Sequence, residues 1–457
     1  MQSLRYKGKH AVIIGGSISG MLAARVLANH FGKITILEKD DILTDPVSRK
    51  AVPQDRQAHI MNMKGETIIS KYFPGFYEEI EQEIFRVGTE DLCFFHYGSW
   101  KCRCKTKVIN HFISRPFFEY HLRRRLLLFS NIHFLQENEV YELITEQNKV
   151  LGVRLKNNLR HHIELRADLV IDASGRGTKT PHWLESLGYQ RPREEKVEIN
   201  IGYSSQMFPR TEKFDFSVMS IYPKAPIGTR MGVIYPIEGD RWLVGMVGLL
   251  GDYPSHDGEG FLQFAKSLDR PDIYDVIKNL EPLSPISTHR FPSNLWRHYE
   301  KMPTFPGNFI IVGDAMCSFN PIYAQGMCVA AMESEVLDQI LNQNQSLEGL
   351  SLRYHKRASK VINKAWVAAT SEDLRYPDAV GKRTFSLTML NWYMAQIFEL
   401  TSIDKKICSR FYEVQSFLKK PIMLFTPYIF LRVIQHGLGL NGTYNPVLER
   451  PKQVKKD

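Results

Sequence analysis

Apolar positions in the first part of the chain follow the periods of strands and of a helix. Residues 9–15 and 34–37 are short apolar runs that predict buried strands, and residues 19–30 between them carry apolar side chains at helical spacing. Two later runs, 169–171 and 309–312, are apolar throughout, which is typical of strands buried on both faces of a parallel sheet. The pattern predicts a βαβ opening and an open α/β sheet.

The rest of the chain follows two other patterns. Strand-like segments bounded by Gly, Pro and Asp are predicted at residues 198–206, 216–222, 232–236 and 241–249. After about residue 345 the periodicity becomes helical, and Pro377, Pro421 and Pro427 interrupt it. We therefore expect a β-rich insert that forms a second layer, followed by a C-terminal helical extension.

Composition places the chain among globular proteins. Its 457 residues are 43% hydrophobic and 24% charged, which predicts two or three packed units and excludes a small binding module. The formal net charge of +10 is spread along the chain, so no nucleic-acid partner is expected. No run of about 18 charge-free apolar residues occurs, so a membrane-spanning helix is not expected either.

The cysteines and the first residues indicate a cytoplasmic protein. The six cysteines lack the dense spacing of a secreted disulfide scaffold and form no CxxC pair. Cys102 and Cys104 would share one face of a strand, but a metal site needs more ligands than two, so no metal is expected. The start of the sequence lacks the apolar core of a signal peptide.

A glycine-rich turn after the first predicted strand indicates a dinucleotide site. Gly15, Gly16 and Gly20 open the predicted helix, where backbone amides and the helix dipole stabilise a pyrophosphate. Ser17 occupies the position usually held by the middle glycine of this motif, and we expect it to crowd the turn slightly. Glu38 closes the second strand, where a carboxylate accepts hydrogen bonds from the adenosine ribose.

Two further motifs follow the later apolar strands, at the same edge of the predicted sheet. DLVIDASGRG places Asp172 and Gly175 after one strand, and IIVGDAMCSFNPIYAQGM places Gly313 and Asp314 after the other. We expect Asp314 to accept from ribityl hydroxyls. The helix that starts near Gly326 would direct its positive end at a reduced isoalloxazine, which indicates a flavin.

Together these motifs resemble the single-component (class A) flavoprotein monooxygenases, which have the fold of p-hydroxybenzoate hydroxylase. Strings such as VPQDRQAHIM, SRPFFEYHLRRRLL, GRGTKTPHWLESLGY and LFTPYIF are similar to the subgroup that contains polyether-pathway polyene epoxidases. The resemblance covers nearly the whole chain. It implies an α/β fold with a Rossmann-like FAD-binding domain, an inserted β-rich substrate domain and a C-terminal helical extension.

The resemblance also implies domain boundaries and a set of site residues. We expect a discontinuous FAD domain at 1–75, 110–185 and 290–345, a substrate domain at 76–109 and 186–289, and a helical region at 346–457. By resemblance, Arg115 approaches the flavin and the pyrophosphate, and Arg56 lies where the family passes its chain over the flavin. The full expected FAD-binding set is Gly15, Gly16, Ser17, Ser19, Gly20, Glu38, Lys39, Arg56, Arg115, Asp172, Gly175, Gly313, Asp314, Pro321, Gln325, Gly326 and Met327.

Some of these assignments compete with a simpler structural role. Arg56 and Arg115 could instead be ordinary solvated surface arginines. His59, near Arg56, is expected to be a structural histidine. The basic run at residues 123–125 is expected to be exposed to solvent. The aromatic and methionine side chains of the β-rich insert are expected to form the pocket wall, with ordinary core packing as the alternative for each. These side chains are Tyr203, Phe216, Met219, Tyr222, Met231, Tyr235 and Met246.

The cofactor determines the expected chemistry, because the sequence offers no hydrolytic triad, paired catalytic carboxylates or metal cluster. A flavin hydroperoxide would epoxidise or hydroxylate an apolar, alkene-bearing substrate with dioxygen. Electrons would come from NAD(P)H or a reduced partner such as a separate flavin reductase. No catalytic residue is assigned, because alkene attack requires no general base.

Three other functions stay open. A flavin-dependent halogenase is disfavoured because the stretch RMGVIYPIEGD lacks both tryptophans of the WxWxIP segment. A flavin-dependent reductase of isoprenoids shares the same flavin motifs. A non-catalytic FAD- or membrane-binding protein is the third alternative. Residues 421–434 would then lie on a membrane surface or, alternatively, pack as a buried helix.

Overall fold

A parallel sheet organises the first part of the fold. The computed structural model describes residues 7–41, 45–49, 52–210, 214–343, 346–440 and 445–450. The sheet has the order β17 (Phe309–Ile311), β11 (Leu169–Asp172), β1 (Gly8–Ile14), β2 (Phe31–Leu37) and β7 (Ile132–Leu135). The last four residues of β1 and of β2 are buried, as expected for strands covered on both faces. These strands confirm the predicted runs at 9–15, 34–37, 169–171 and 309–312.

Helices and a small sheet cover the parallel strands. The helices are α1 (Ile18–Leu27), which confirms the predicted βαβ helix, α2 (Met63–Tyr72), α3 (Phe76–Glu79), α4 (Arg115–Leu126), α5 (Thr180–Ser186) and α8 (Gly326–Gln343). The small sheet contains β8 (Asn138–Glu146), β9 (Lys149–Asn157) and β10 (His162–Arg166). Chain order reverses at β1, and in open α/β sheets ligands bind in the crevice beyond the strand ends at such a point.

A second, mixed sheet confirms the predicted β-rich insert. Its order is β18 (Cys317–Ser318), β16 (Ser287–Arg297), β12 (Glu194–Pro209), β15 (Arg241–Gly248), β14 (Arg230–Ile237), β13 (Val218–Ile221), β4 (Leu92–His96) and β5 (Ser99–Trp100). A hairpin-like pair, β3 (Phe85–Gly88) with β6 (Ile109–Phe112), and the helices α6 (Gly258–Lys266) and α7 (Asp272–Ile277) accompany it. The short strand β18 links this sheet to the turn that begins α8.

The C-terminal part is helical, as predicted. It contains α9 (Leu350–Asp373), α10 (Phe385–Leu400), α11 (Lys405–Gln415) and α12 (Pro427–Gly437), with a short 3-10 turn at Pro421–Phe425. Helix α9 contacts β12 and β17, so it joins the two sheets, and α10–α12 form a separate apolar cluster with β4 and its neighbours. Within the described residues, no helix is long and apolar enough to cross a membrane.

Candidate functional site

The turn between β1 and α1 requires its glycines. Gly15 has φ +104°, and a Cβ there would lie 2.5 Å from the carbonyl oxygen of Ala173. A Cβ at Gly20 would lie 1.9 Å from the carbonyl oxygen of Gly15. The chain therefore passes close to itself here, and the amides in the first turn of α1 lack partners within the helix. This arrangement can bind a pyrophosphate.

Ser17 does not crowd the turn, contrary to the sequence-based expectation. Its backbone is extended, with φ −85°, a conformation that any residue adopts. Its hydroxyl donates to Glu119 Oε2 over 3.0 Å and accepts from Arg115 Nη2 over 3.2 Å. The side chain in the place of the middle glycine thus connects the turn to helix α4, which carries both partners.

Glu38 is buried at the end of β2 and is held by several donors. Its Oε2 accepts from the amide of Gly16 at 2.9 Å, and its Oε1 accepts from the amides of Lys39 at 2.8 Å and Asp40 at 3.3 Å. Burial alone would raise the pKa of Glu38, but the Arg49 charge and the hydrogen bonds lower it below its ordinary value. Glu38 is therefore ionised at neutral pH, as a ribose acceptor must be.

Arg49 was missed by the sequence analysis. Its Nη1 lies 3.0 Å from Glu38 Oε2, and its Nη2 pairs with Glu119 on α4. The Arg49 side chain is 5% exposed. In the sequence, Arg49 is simply a basic residue in the loop after β2. No local pattern distinguishes it from Arg56 a few positions later.

A cavity of about 170 Å³ lies next to the turn and Glu38. Its walls come from the ends of β1, β2 and β11 and from β8. They include Gly15, Gly16, Ser17, Glu38, Lys39, Val52, Asn138, Ala173, Lys179 and Trp183. The adenosine of a dinucleotide whose pyrophosphate lies at α1 would occupy this position.

The turn after β11 is fixed by an internal network. Asp172 is fully buried and accepts from the amide of Ser174 at 2.9 Å, from its hydroxyl at 2.5 Å, and from the hydroxyls of Thr178 and Thr180. Both carboxylate oxygens are thus in use, so Asp172 holds the turn in place rather than offering a free acceptor. Gly175 has φ +83° and no atom within 4 Å of a Cβ position.

The turn after β17 presents a free carboxylate. Gly313 has φ +61°, and its amide donates to Glu333 Oε2 over 2.7 Å. A Cβ at Gly313 would lie 2.3 Å from Ser19 Oγ, so Ser19 borders this turn. The Asp314 carboxylate makes no hydrogen bond or ion pair with the described residues. Burial raises the pKa of Asp314, whereas the charges of Arg115, Arg176 and Arg297 oppose that increase.

The start of α8 leaves space for a planar group. A short 3-10 turn over Pro321–Tyr323 leads to Gly326, where a Cβ would meet only Asp314 Oδ1, at 4.0 Å. Gln325 is buried, and its Oε1 has no hydrogen-bond partner among the described residues. The neighbouring Met327 lines a narrow crevice with His59 and Arg115. An unpartnered buried acceptor beside open space fits the polar edge of a flavin ring.

Arg115 and Arg56 differ in their placement. Arg115 begins α4 beside the phosphate turn, and its Nη1 lies 3.2 Å from His59 Nε2. Its Nε is buried without a hydrogen bond. Arg56 is exposed, whereas the adjacent Gln57 is buried and accepts from the hydroxyl of Ser205 at 2.7 Å. The structure therefore brings Arg115, but not the side chain of Arg56, together with the other expected residues.

Burial determines the state of His59 and of part of the basic run at residues 123–125. Burial, followed by the Arg115 charge, lowers the pKa of His59 to about 3, so its ring is neutral. Arg123 is buried on α4, 3.9 Å from Glu119, and the expectation that it is exposed to solvent is wrong. Arg125 pairs with Glu79 at 2.8 Å on the surface. Three arginines thus lie within ion-pair distance of Glu119, because this carboxylate is on the inner side of α4.

A buried carboxyl that the sequence analysis missed supports the turn before α8. Asp373 Oδ1 accepts from Tyr323 at 2.7 Å and Asn320 at 2.9 Å, and its Oδ2 accepts from Asn294 at 2.6 Å. Burial raises the pKa of Asp373 to about 6. The residue ends α9, far along the chain, so no local sequence pattern connects it to the turn.

A larger cavity of about 380 Å³ adjoins this turn. Its inner end is formed by the turn residues Ile322, Tyr323 and Gln325. Apolar side chains predominate along the rest of the wall and include Phe94, Tyr222, Met231, Leu249, Leu390, Met394, Phe398, Phe411, Leu418, Leu424 and Phe425. The cavity therefore runs between the second sheet and the C-terminal helices.

The expected pocket wall is correct for two of its seven side chains. Tyr222 and Met231 line the cavity. The others pack in the core: Phe216, Met219 and Met246 in one cluster, Tyr235 in another, and Tyr203 beneath Asn320. The C-terminal helices supply much of the remaining wall, and Phe94 and Leu249 of the second sheet and its loops also line it.

Comparison with known sequences points to flavoproteins. The family model described as FAD dependent oxidoreductase matches residues 11–180. Protein Rv3254 of Mycobacterium tuberculosis (strain ATCC 25618 / H37Rv) is 27% identical, over 94% of each chain. Flavin-dependent halogenase chlA of Dictyostelium discoideum is 23% identical over 76% of this chain and 62% of that protein.

Comparison with solved structures confirms the fold class. The flavin-dependent brominase Bmp2 superposes with a TM-score of 0.67 at 15% identity, covering 94% of this chain and 99% of the other. A flavoprotein/dehydrogenase from Cytophaga hutchinsonii gives 0.67 at 12%, covering 95% and 100%. 2-Methyl-3-hydroxypyridine-5-carboxylic acid oxygenase gives 0.57 at 16%, covering 80% and 90%. At these coverages the likeness extends over the α/β domain, the second sheet and the helical C-terminal part of this chain.

Proposed function

We propose that this FAD-dependent oxidoreductase is a monooxygenase that epoxidises or hydroxylates an apolar, alkene-bearing molecule of the polyene or terpenoid type. The supporting observation is the cavity of about 380 Å³, which has a mainly apolar wall and ends at the turn before α8. When bound, reduced FAD would activate dioxygen for transfer to a substrate. One oxygen atom of the dioxygen enters the substrate and the other leaves as water. NAD(P)H or a separate flavin reductase supplies the two electrons.

The chain's own residues would hold the cofactor at both ends. The α1 amides would bind the pyrophosphate, Glu38 the adenosine ribose and Asp314 the ribityl hydroxyls, while Arg115 places a positive charge beside the phosphates. At the other end, the α8 amides would stabilise negative charge on the reduced ring. Gln325 offers its free Oε1 to a ring N–H.

The cavity wall favours an apolar substrate. Tyr222 and Tyr323 line it, but their hydroxyls already donate, Tyr222 to the carbonyl of Ile322 at 3.0 Å and Tyr323 to Asp373 at 2.7 Å. Burial lowers the pKa of His96 far below its ordinary value, so this wall residue is neutral. Glu372 is paired with Arg375 at 2.8 Å. The wall thus offers few free polar groups for recognition, and shape selects the substrate.

Oxygen transfer to an alkene needs a dry, oriented pocket rather than a general base. The cavity provides this, because its inner end is closed by the turn and by the Asp373 network behind it. The lysines on its wall, Lys364, Lys419 and Lys420, are exposed residues at its outer end. A halogenase would need a lysine at the inner end, where none of the described wall residues is one.

Halogenation is the second candidate, favoured by the similarity to the Dictyostelium halogenase and to the brominase fold. The sequence RMGVIYPIEGD in strand β14 and its following turn lacks both tryptophans of the halogenase segment. Assay in chloride or bromide buffer distinguishes the two reactions, because a halogenated product would replace the oxygenated one.

A pair of variants tests the proposed substrate cavity. Met394 lines the cavity, whereas Leu128, just beyond the end of α4, is 76% exposed and does not line it. Met394→Trp should lower kcat/KM for a linear polyene by about tenfold or more, because the added ring occupies substrate space. Leu128→Trp should leave kcat/KM unchanged. Equal turnover by wild type and Met394→Trp would contradict the assignment of this cavity.

A further inference from the structure

An exposed apolar surface lies beside the cavity, and one of its side chains, Phe425, also lines the cavity. On α10 it contains Phe385, Met389 and Trp392, which are 80%, 56% and 43% exposed. Beyond α11 it contains Ile422, Phe425, Phe430, Leu431 and Leu438, which are 40–66% exposed. We call this set the C-terminal apolar face. Soluble proteins rarely expose so many neighbouring large apolar side chains without a partner.

Contacts between the helices make this face continuous. The rings of Tyr393 and Phe425 stack at 4.5 Å, and Tyr393 lies 6.3 Å from Phe430. At the other end of the face, Trp392 lies against Gly437 at the end of α12. The exposed side chains of α10 and α12 are therefore neighbours in space. Because Ile429 and Val433 form the buried side of α12, Phe430 and Leu431 must point outward.

The charges around the face are mainly positive. Residues 382–440 contain eight Lys or Arg and three Asp or Glu. All three acids are paired: Glu399 with Lys224, Asp404 with Arg432 and Glu413 with Arg410. The lysines that form no ion pair with the described residues are Lys382, Lys405, Lys406, Lys419 and Lys420. An anionic surface would complement this set.

The cavity opens between these features. Lys419, Lys420, Pro421 and Phe425 line its outer end, and Ile322 and Gln325 line its inner end. A molecule that enters at the apolar face could therefore reach the turn before α8 without crossing bulk water. The cavity therefore connects the C-terminal apolar face to the turn before α8. The properties of the face itself do not depend on which reaction occurs at that turn.

We propose that the C-terminal apolar face docks on a lipid bilayer with anionic headgroups and that the cavity takes its apolar substrate from that bilayer. The apolar side chains enter the interfacial region while the lysines contact headgroups. Docking is peripheral, since no described helix could span the bilayer. A second copy of the chain is a poorer occupant, because both copies would bring the same mainly positive surface into one interface.

Vesicle sedimentation tests this proposal without any turnover. The FAD-loaded protein should sediment with phosphatidylcholine vesicles that contain about 30% phosphatidylglycerol and should remain in solution with pure phosphatidylcholine. Raising the salt from about 0.1 M to about 0.5 M should weaken the binding, because exposed charges are then screened. Uptake of substrate from the bilayer rests on the proposed function, whereas sedimentation tests docking alone, so the two proposals can fail separately.

Matched variants locate the binding surface. Phe385→Ser with Leu431→Ser, and separately Lys419→Glu with Lys420→Glu, should each lower the vesicle partition coefficient by about tenfold or more. The control Leu128→Ser with Leu159→Ser changes two side chains that are 76% and 70% exposed elsewhere and should leave partitioning unchanged. Circular dichroism and melting temperature verify that each variant is folded.

Three outcomes would overturn the proposal. One is absence of the wild-type protein from the anionic vesicle pellet. Another is an equal loss of binding in the control and face variants. The third is a concentration-dependent dimer in light scattering that Phe385→Ser with Leu431→Ser abolishes, because a second copy would then be the occupant of the face.

Discussion

Arg49 Nη1 lies 3.0 Å from Glu38 Oε2, and both side chains are buried. The same arginine pairs through Nη2 with Glu119, which accepts from the hydroxyl of Ser17. The expected ribose carboxylate, the phosphate turn and helix α4 are therefore joined through one guanidinium. Because Glu38 also accepts three backbone amides, a ribose hydroxyl would have to replace one donor, of which Asp40 N at 3.3 Å is the most distant.

Removing Arg49 should destabilise the fold. In Arg49→Met, Glu38 and Glu119 would stay buried without their shared cation, and breaking a buried pair costs about 3–5 kcal/mol. Urea unfolding of the cofactor-free protein should show this loss as a lower midpoint at constant slope. Arg154→Met, which removes an exposed arginine paired with Glu142 and Glu164, should leave the midpoint nearly unchanged. Similar midpoints for both variants would show that Arg49 has no special role.

Glu38→Gln tests the ribose assignment, and its melting temperature must be measured as well, because the amide nitrogen would face donors that the carboxylate now accepts from. Glutamine keeps the size of the side chain and one oxygen for Arg49, but it loses the charge and an acceptor. Charge-assisted hydrogen bonds contribute about 1.5–3 kcal/mol, so the Kd for FAD should rise roughly ten- to a hundredfold. Fluorescence titration of the cofactor-free protein measures the Kd directly. An unchanged Kd would remove Glu38 from the ribose site.

Gly326→Val should reduce turnover more than FAD binding. The protein itself has room for this side chain, because a Cβ there meets only Asp314 Oδ1 at 4.0 Å, so the fold should survive. The added methyl groups would instead occupy space proposed for the flavin's polar edge. The ratio of kcat to FAD content should fall by about tenfold or more if that edge depends on the α8 amides. A parallel loss of both quantities would contradict the placement.

Glu333 should make the protein less stable as the pH rises. Burial, opposed by the Gly313 amide, raises the pKa of Glu333 to about 8. Between the ordinary carboxyl pKa and pH 8 the folded protein keeps a proton that the unfolded chain has released. The free energy of unfolding should therefore fall with increasing pH in that window, by up to about 1.4 kcal/mol per pH unit.

Glu333→Gln provides the comparison for this pH dependence. The amide retains an acceptor for Gly313 and cannot titrate, so its melting temperature should change less between pH 5 and pH 8 than that of the wild type. Parallel profiles for the two proteins would mean that Glu333 does not hold the proton.

The local parts of this structure could be predicted from sequence, and the long-range parts could not. The strand–turn–helix at Gly15–Gly20 is encoded by adjacent residues, because each glycine is needed where the chain passes within contact distance of itself. Arg49 contacts Glu38 from an irregular loop. Asp373 contacts Tyr323, which is distant along the chain. Single polar residues at such positions carry no periodic signal.

The cavity wall is likewise a long-range feature that the sequence could predict only in part. The sequence predicted strands here and named their aromatic and methionine side chains, but it could not tell which of these side chains face a cavity and which fill a core. Met231 and Met246 lie on neighbouring antiparallel strands, and only the first lines the cavity. That difference depends on how α9–α11 pack over the sheet, which requires tertiary structure.

The most direct test of the proposed monooxygenase is the reaction of the reduced enzyme with a linear polyene under ¹⁸O-labelled dioxygen, followed by mass spectrometry of the organic extract. The product should gain one labelled oxygen atom, with a lowered yield in Met394→Trp and an unchanged yield in Leu128→Trp. A product that gains hydrogen without oxygen, or a halogenated product in halide buffer, would contradict the proposal.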